Sequence, residues 1–160
     1  MEILIVICVA AILMTIAGIQ YSRWITRYSV EREIKEMYAD LMSARSMAMS
    51  RNRIHFVNLT ATGYTVYDDT NTAPDGNGIL ETATGKDTPR TVKSLTYPIT
   101  WPGGWTPANP LEFDPRGIMT TVPTGVIRIT GSYGADYDCI MVEQTRLTLG
   151  SWNGANCIIR

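Results

Sequence analysis

The first nineteen residues constrain the fold of this chain more than any other segment. Glu2 is followed by an uncharged apolar run at residues 3–19. A carboxylate at the head of a segment fit for a bilayer is costly, by about 2.5 to 3.5 kcal/mol when it lies centrally, and by default marks a functional site whose partner must be found. The nearest Lys or Arg along the chain is Arg23. We therefore expect Glu2 to pair with the chain's own amino terminus or with another molecule.

Aromatic and cationic residues follow this run. The segment 20–24 combines Tyr and Trp with Arg, a mixture typical of the membrane interface. A secretory signal peptide carries its positive charge before the apolar stretch, whereas Arg23, Arg27 and Arg32 all come after it. The order predicts a retained, single-pass membrane anchor rather than a cleaved signal.

The helical pattern continues beyond the anchor. Apolar residues recur at intervals of three and four as far as residue 49, and no proline occurs before residue 74. This spacing forms one apolar stripe on a helix. The centre of the stripe consists of Ile34, Met37, Leu41 and Ala44. The pattern predicts a single helix from about residue 2 to about residue 50, on the order of 70 Å long.

The composition changes after Asn52, where Gly, Pro, Thr, Asn and Asp become frequent. Short alternating or β-branched runs, separated by turn residues, lie at residues 54–59, 64–67, 91–95, 126–130, 139–142 and 146–149. Many short strands of this kind predict an antiparallel sheet, and about 110 residues suffice for one core. The expected fold class is α+β, with one long N-terminal helix packed on an antiparallel β-sheet domain.

The same patterns divide the chain into three parts. Residues 1–20 form the apolar helix, residues 21–52 its amphipathic continuation, and residues 53–160 a β-rich globular domain. The second half of the helix is expected to pack on that domain. No internal repeat and no flexible linker is apparent.

Three segments together resemble a known family. Glu2 at the head of an apolar helix resembles the mature start of type IV pilins and pseudopilins, Phe-Thr-Leu-x-Glu, although the Phe-Thr-Leu and the usual proline after the apolar segment are absent. Residues 38–53 are similar to the helix end of the GspH/FimT subgroup, Leu-x-x-Ala-Arg-x-x-Ala-x-x-Arg. Residues 111–117 are similar to its Phe-x-x-x-Gly strand and turn.

The resemblance implies a structural function. Such proteins reside in the bacterial inner membrane with the β domain in the periplasm, and are then extracted into a filament whose core consists of the apolar helices. Glu2 would pair with the terminal amine of a neighbouring subunit and set the register; the alternative is a solvated Glu2 in the headgroup layer. The implied function is a structural subunit of a type IV pilus or a type II secretion pseudopilus. The alternative is a minor pilin at the filament tip that binds DNA or a partner protein.

The partners that this function implies are other pilin or pseudopilin subunits. We expect their contacts to involve neighbouring β domains and the helix packing stripe of Ile34, Met37, Leu41 and Ala44. No cofactor, small-molecule substrate or enzymatic activity is implied.

The cysteines differ in their surroundings. Cys8 lies in the apolar run and is expected to be a small buried hydrophobe. Cys139 and Cys157 lie in the domain expected outside the cytoplasm, where disulfides persist. The resemblance supports their pairing, because pilin-like proteins often carry a C-terminal disulfide loop; two free thiols are the alternative. Closing a loop of this size is worth about 3 kcal/mol in the chain-entropy model.

Few residues suggest binding chemistry. His55 is the only histidine and there is no Cys-x-x-Cys, which argues against a metal site, and the acidic turns at 68–71 and 75–78 miss the calcium-loop spacing. Arg51 and Arg53 are a candidate anion or DNA contact, but cations at a helix end have an ordinary explanation in its dipole. The net charge of −1 makes nucleic acid an unlikely partner.

One aromatic segment remains ambiguous. Residues 97–105 contain one Tyr and two Trp among Pro and Gly. Such a segment is either a contact surface or, more commonly, a loop that packs on its own rings.

Overall fold

A computed structural model describes residues 2–72, 76–120 and 124–160, without the side chains of residues 2–6, 8–13, 15–19 and 124. The sequence-based roles of Glu2 and Cys8 concern side chains outside this described part and stay predictions.

One helix, α1, runs without interruption over Glu2–Arg51, as the sequence predicts. At about 1.5 Å per residue it is about 75 Å long. It ends because Asn52 adopts a left-handed conformation with φ of 50°, which Asn tolerates better than most residues. The Arg53 N–H then donates to the carbonyl of Ala48 at 3.2 Å. This is the bond that closes a Schellman motif and satisfies a carbonyl at the helix end.

Among the described residues nine strands follow, all paired antiparallel. They are β1 His55–Thr60, β2 Gly63–Asp68, β3 Thr88–Ser94, β4 Ile99–Thr100, β5 Leu111–Phe113, β6 Thr124–Ile129, β7 Cys139–Glu143, β8 Leu147–Trp152 and β9 Cys157–Ile159. The first sheet has the order β3-β2-β1-β5 and the second the order β4-β6-β7-β8-β9. One long helix with antiparallel sheets confirms the α+β class.

The second half of α1 packs on both sheets through its apolar stripe. Ile34, Met37, Leu41 and Ala44 are at most 1% exposed, and Val30 and Ala48 extend the row at the same spacing. They share one core with residues of both sheets, among them Val57, Val66, Leu111, Ile127 and Ile140. Each large side chain buried in this way contributes about 1.5–3 kcal/mol. The expectation that the stripe contacts other subunits is therefore wrong for these four side chains, because their own domain already covers them.

Acidic side chains along one side of the stripe fix the helix in rotation and along its axis. The carboxylate of Glu33 accepts the N–H groups of Thr96 and Tyr97 at 3.0 and 3.2 Å. About two turns further along α1, Asp40 accepts the hydroxyl of Tyr64 on β2 at 2.6 Å. Burial and this hydrogen bond raise the pKa of Tyr64, which therefore stays a donor. Hydrogen bonds of this kind to charged groups are worth about 1.5–3 kcal/mol each.

The disulfide lies on the face of the second sheet that is turned away from α1. Cys139 of β7 and Cys157 of β9 are bonded, with their Cα atoms 6.1 Å apart, and this confirms the predicted pair. The two strands are not neighbours, since β8 lies between them and pairs with both through Gly150. A Cβ atom at Gly150 would lie 2.7 Å from the Cys157 sulfur. The disulfide therefore requires glycine at this position of β8, the strand that it crosses.

Candidate functional site

The first half of α1 extends beyond the domain. Its described side chains before Thr26 are all exposed, including Ile7 at 63% and Met14 at 75%. From Glu2 to Ile25 this segment measures about 36 Å at 1.5 Å per residue. Apolar side chains on an uncovered helix surface indicate a contact with something outside the described chain. Within the described residues, no helix combines the length and the apolarity needed to cross a bilayer.

An aromatic row marks the place where the helix leaves the domain. Tyr21, Trp24 and Tyr28 lie on one face of α1 at intervals of three and four, and all three are exposed. Their rings stack in sequence, with centroids 6.4 Å apart for the first pair and 6.1 Å for the second. Amphipathic rings arranged in this way are typical of protein or membrane interfaces.

Beside Tyr28, the last residue of the aromatic row, α1 contacts the connection between β6 and β7. Arg27 reaches the carboxylate of Asp136 at 2.5 Å, and Glu31 accepts the N–H of Asp136 at 2.8 Å. Arg160, the last residue of the chain, also contacts Asp136, at 3.3 Å. These contacts hold the domain to α1 at the C-terminal end of the aromatic row.

At the C-terminal end of α1, three arginines lie around one buried carboxylate. Asp68, the last residue of β2, is fully buried, and one of its oxygens, Oδ2, accepts hydrogen bonds from two guanidinium groups. Arg51 Nη1 lies 2.7 Å from this oxygen, and Arg90 Nη2 and Nε lie 2.6 and 3.2 Å from it. Arg53 approaches the second oxygen, Oδ1, at 3.7 Å. The cluster joins the helix end to β2 and β3.

The electrostatics of this cluster keep Asp68 ionised and His55 neutral. Burial alone would raise the pKa of Asp68, but the hydrogen bonds from Arg90 and Arg51 outweigh it and hold that pKa below its usual value. Burial lowers the pKa of His55. Its Nε2 faces Asp68 Oδ1 at 3.9 Å, too far for a hydrogen bond, and neither atom has a hydrogen-bond partner among the described residues.

These contacts change the interpretation of the two arginines. Arg51 and Arg53 were candidate contacts for DNA, but both lie against Asp68 inside the protein's own structure. Sequence reasoning did not single out Asp68, because an acidic residue at the end of a strand looks like an ordinary turn residue. A second acid, Asp69, follows it and is equally buried. The two roles differ only in their partners, which are guanidinium groups for Asp68 and backbone N–H groups for Asp69.

Two aspartates in the loop between β2 and β3 accept hydrogen bonds from backbone N–H groups of that loop. Asp69 accepts the N–H groups of Asn77 and Gly78 at 3.1 and 2.7 Å, and burial raises its pKa. Asp87 accepts the N–H of Glu81 at 2.7 Å and two further amides. Within the described residues no cluster of three or more His, Cys, Asp or Glu is placed to hold a metal.

The turn after β5 packs directly on the helix end. Gly117 has φ of 73°, and a Cβ atom there would lie 2.8 Å from the sulfur of Met49. Asp114 holds the turn by accepting the N–H groups of Arg116 and Ile118 at 2.9 and 2.8 Å. The Phe113-x-x-x-Gly117 pattern therefore marks a place where only glycine allows loop and helix to approach so closely.

Residues 33–146 match the model of a protein family described as type II transport protein GspH. The match covers more than half of the chain, from the second half of α1, which packs on the sheets, to the turn before β8. No curated protein and no solved structure shows significant similarity to the chain.

Proposed function

The chain belongs to the family of the type II transport protein GspH, and we propose that it is a structural subunit of a type II secretion pseudopilus or a type IV pilus, assembled through its N-terminal helix. The observation that carries this proposal is the division of α1. Its second half is buried on the domain, whereas its first half exposes apolar side chains such as Met14. No catalytic step is part of this function.

We propose that the chain is held in the bacterial inner membrane before assembly, with the β domain in the periplasm. The apolar run at 3–19 and the arginines that follow it support this arrangement. Once the helices pack together in a filament core, an unpaired carboxylate is penalised, while a paired one fixes the axial register. Glu2 would pair there with the terminal amine of a neighbouring subunit.

The contacts between subunits would use the exposed part of α1 instead of its buried stripe. The row of Tyr21, Trp24 and Tyr28 presents three stacked rings beside the domain. Aromatic side chains lose little conformational freedom when they are covered, and they dominate the energetics of many interfaces. A neighbouring helix or β domain packed on this row would bury it.

The experiment that tests this function is incorporation of Glu2→Ala and Glu2→Gln subunits into sheared filaments. Both variants are expected to fold and to reach the membrane, yet to enter filaments poorly, because their neighbours' amines lose the carboxylate partner. Glu143→Gln is the matched control, since the Glu143 carboxylate forms an exposed pair with Arg146 at 3.2 Å. Normal incorporation of Glu2→Ala would refute the proposal that Glu2 fixes the axial register of the subunits.

The aromatic row provides a second test. Trp24→Ser is expected to reduce incorporation without lowering the stability of the domain, because the ring is exposed in the isolated chain. Ile158→Ser, at an exposed apolar position on β9, is the control for a general loss of surface apolarity. Equal incorporation of the two variants would show that the row makes no specific contact.

A further inference from the structure

A groove crosses the face of the second sheet that is turned away from α1. Its volume is about 480 Å³, within the usual range of about 300–1,000 Å³ for ligand sites. Trp101 and Pro102, from the loop after β4, form one wall. Arg128, Met141 and Trp152 form the floor and the other wall. The strand residues that alternate with these, such as Ile127 and Ile140, belong to the core.

Arg128 lies in this groove, and its guanidinium donates no hydrogen bond to the described residues. Its guanidinium carbon stacks 4.6 Å from the centre of the Trp152 ring. Among the described residues its side chain forms no hydrogen bond and no ion pair, whereas Arg146 in the β7–β8 turn pairs with Glu143. Asp138 is near enough to interact with Arg128 electrostatically, but it accepts the N–H of Trp152 at 2.6 Å. The guanidinium is therefore held in place while its donors stay available.

Contacts within the chain support the walls of the groove. Cys157, one half of the disulfide, lines the groove beside Trp152. The loop that carries Trp101 packs on itself, because the Trp101 indole N–H donates to the Trp105 carbonyl at 2.7 Å and the Trp105 ring is buried. Gly125 makes room for that ring, since a Cβ atom there would lie 2.6 Å from it. Pre-organisation of this kind reduces the cost of binding.

We propose that this groove binds an acidic segment of a partner polypeptide, with an Asp or Glu carboxylate on Arg128 and a neighbouring apolar side chain against Met141 and Trp101. A guanidinium fork recognises a carboxylate through two parallel hydrogen bonds, and stacking on an indole leaves that edge free. The apolar wall excludes water from the pair, which strengthens it. The groove lies on the opposite side of the sheet from the helix, so this binding does not depend on the proposed filament contacts.

The test uses the full chain and two fluorescently labelled, blocked peptides, Gly-Leu-Glu-Phe-Gly and its Gln counterpart, followed by anisotropy. The Glu peptide is expected to bind about tenfold more tightly or better, as charge-assisted hydrogen bonds allow. Arg128→Gln is expected to remove this preference, and Trp152→Phe to keep most of it. Arg146→Gln, the matched loss of one positive charge in the β7–β8 turn, is expected to leave binding of both peptides unchanged.

Three results would overturn the proposal. They are equal affinity for the two peptides, an equal loss in Arg128→Gln and Arg146→Gln, and full competition by a DNA oligonucleotide, which would indicate a general cation effect. If Arg128→Gln does not fold, Met141→Glu replaces it, because a like charge in the groove should weaken binding of the Glu peptide. Filament incorporation of Arg128→Gln is expected to be normal, so failure here is distinguishable from failure of the assembly function.

Discussion

Replacing the buried carboxylate by its neutral isostere, Asp68→Asn, tests whether the cluster at the end of α1 stabilises the fold. In the wild-type chain one carboxylate oxygen accepts three hydrogen bonds, from Arg51 and Arg90. The substitution preserves the shape of the side chain but leaves the guanidinium groups with a neutral, weaker acceptor. The contact of the helix end with β2 and β3 would then be weaker.

The size of the effect follows from the number of bonds and from their exposure. Hydrogen bonds to charged groups contribute about 1.5–3 kcal/mol each, and breaking a fully buried ion pair costs about 3–5 kcal/mol. Here Arg51 and Arg90 are 40% and 35% exposed, so water replaces part of what is lost. We expect Asp68→Asn to lower the free energy of unfolding by about 2–4 kcal/mol. For a chain of this size that corresponds to a fall in Tm of about 5–15 °C.

The assay is urea denaturation at neutral pH, followed by circular dichroism, with Asp136→Asn as the matched control. Asp136 contacts Arg27 and Arg160 at the surface, where its side chain is 50% exposed. Exposed pairs contribute only about 0–1 kcal/mol. If the two variants differ by less than about 0.5 kcal/mol, the cluster has no stabilising role and the argument from burial is wrong.

Three further predictions concern the disulfide, pH and nucleic acid. Cys139→Ser combined with Cys157→Ser is expected to cost about 2–5 kcal/mol in urea denaturation, and mass spectrometry of unreduced peptides should recover the linked pair; two alkylatable thiols in freshly isolated protein would contradict it. Because burial lowers the pKa of His55, the unfolded chain binds a proton that the folded chain does not, so stability should fall as pH drops below about 6.5; His55→Gln should lose that slope, and an unchanged slope would show that another group is responsible. Duplex DNA should bind with a Kd weaker than about 10⁻⁶ M at physiological salt, measured by fluorescence titration; submicromolar binding that disappears in Arg51→Ala, Arg53→Ala would instead favour a DNA-binding tip subunit.

Local periodicity accounts for what could be predicted from the sequence. The repeat of three and four apolar positions, without a proline, predicts α1 almost to its last residue. Alternating or β-branched runs of four or more residues correspond to β1, β2, β3, β6, β7 and β8. The short strands β4 and β9 have too few residues for a pattern, and β5 was indicated only by the family resemblance. These three short strands form because they pair with an unpaired edge of a longer neighbouring strand, β6 for β4, β8 for β9 and β1 for β5.

The functional consequences of the same elements required the tertiary structure. The sequence determined that α1 has an apolar stripe, but not whether that stripe meets its own domain or another subunit. It showed Arg51 and Arg53 as neighbours, but not Asp68, which lies 17 residues beyond Arg51 and becomes their partner only when β2 ends beside the helix. Likewise, Arg128 of β6 and Trp152 of β8 meet only because β7 pairs with both strands. Periodicity is fixed over a few residues, whereas burial and charge pairing depend on which distant segments the fold brings together, and only the folded chain decides that.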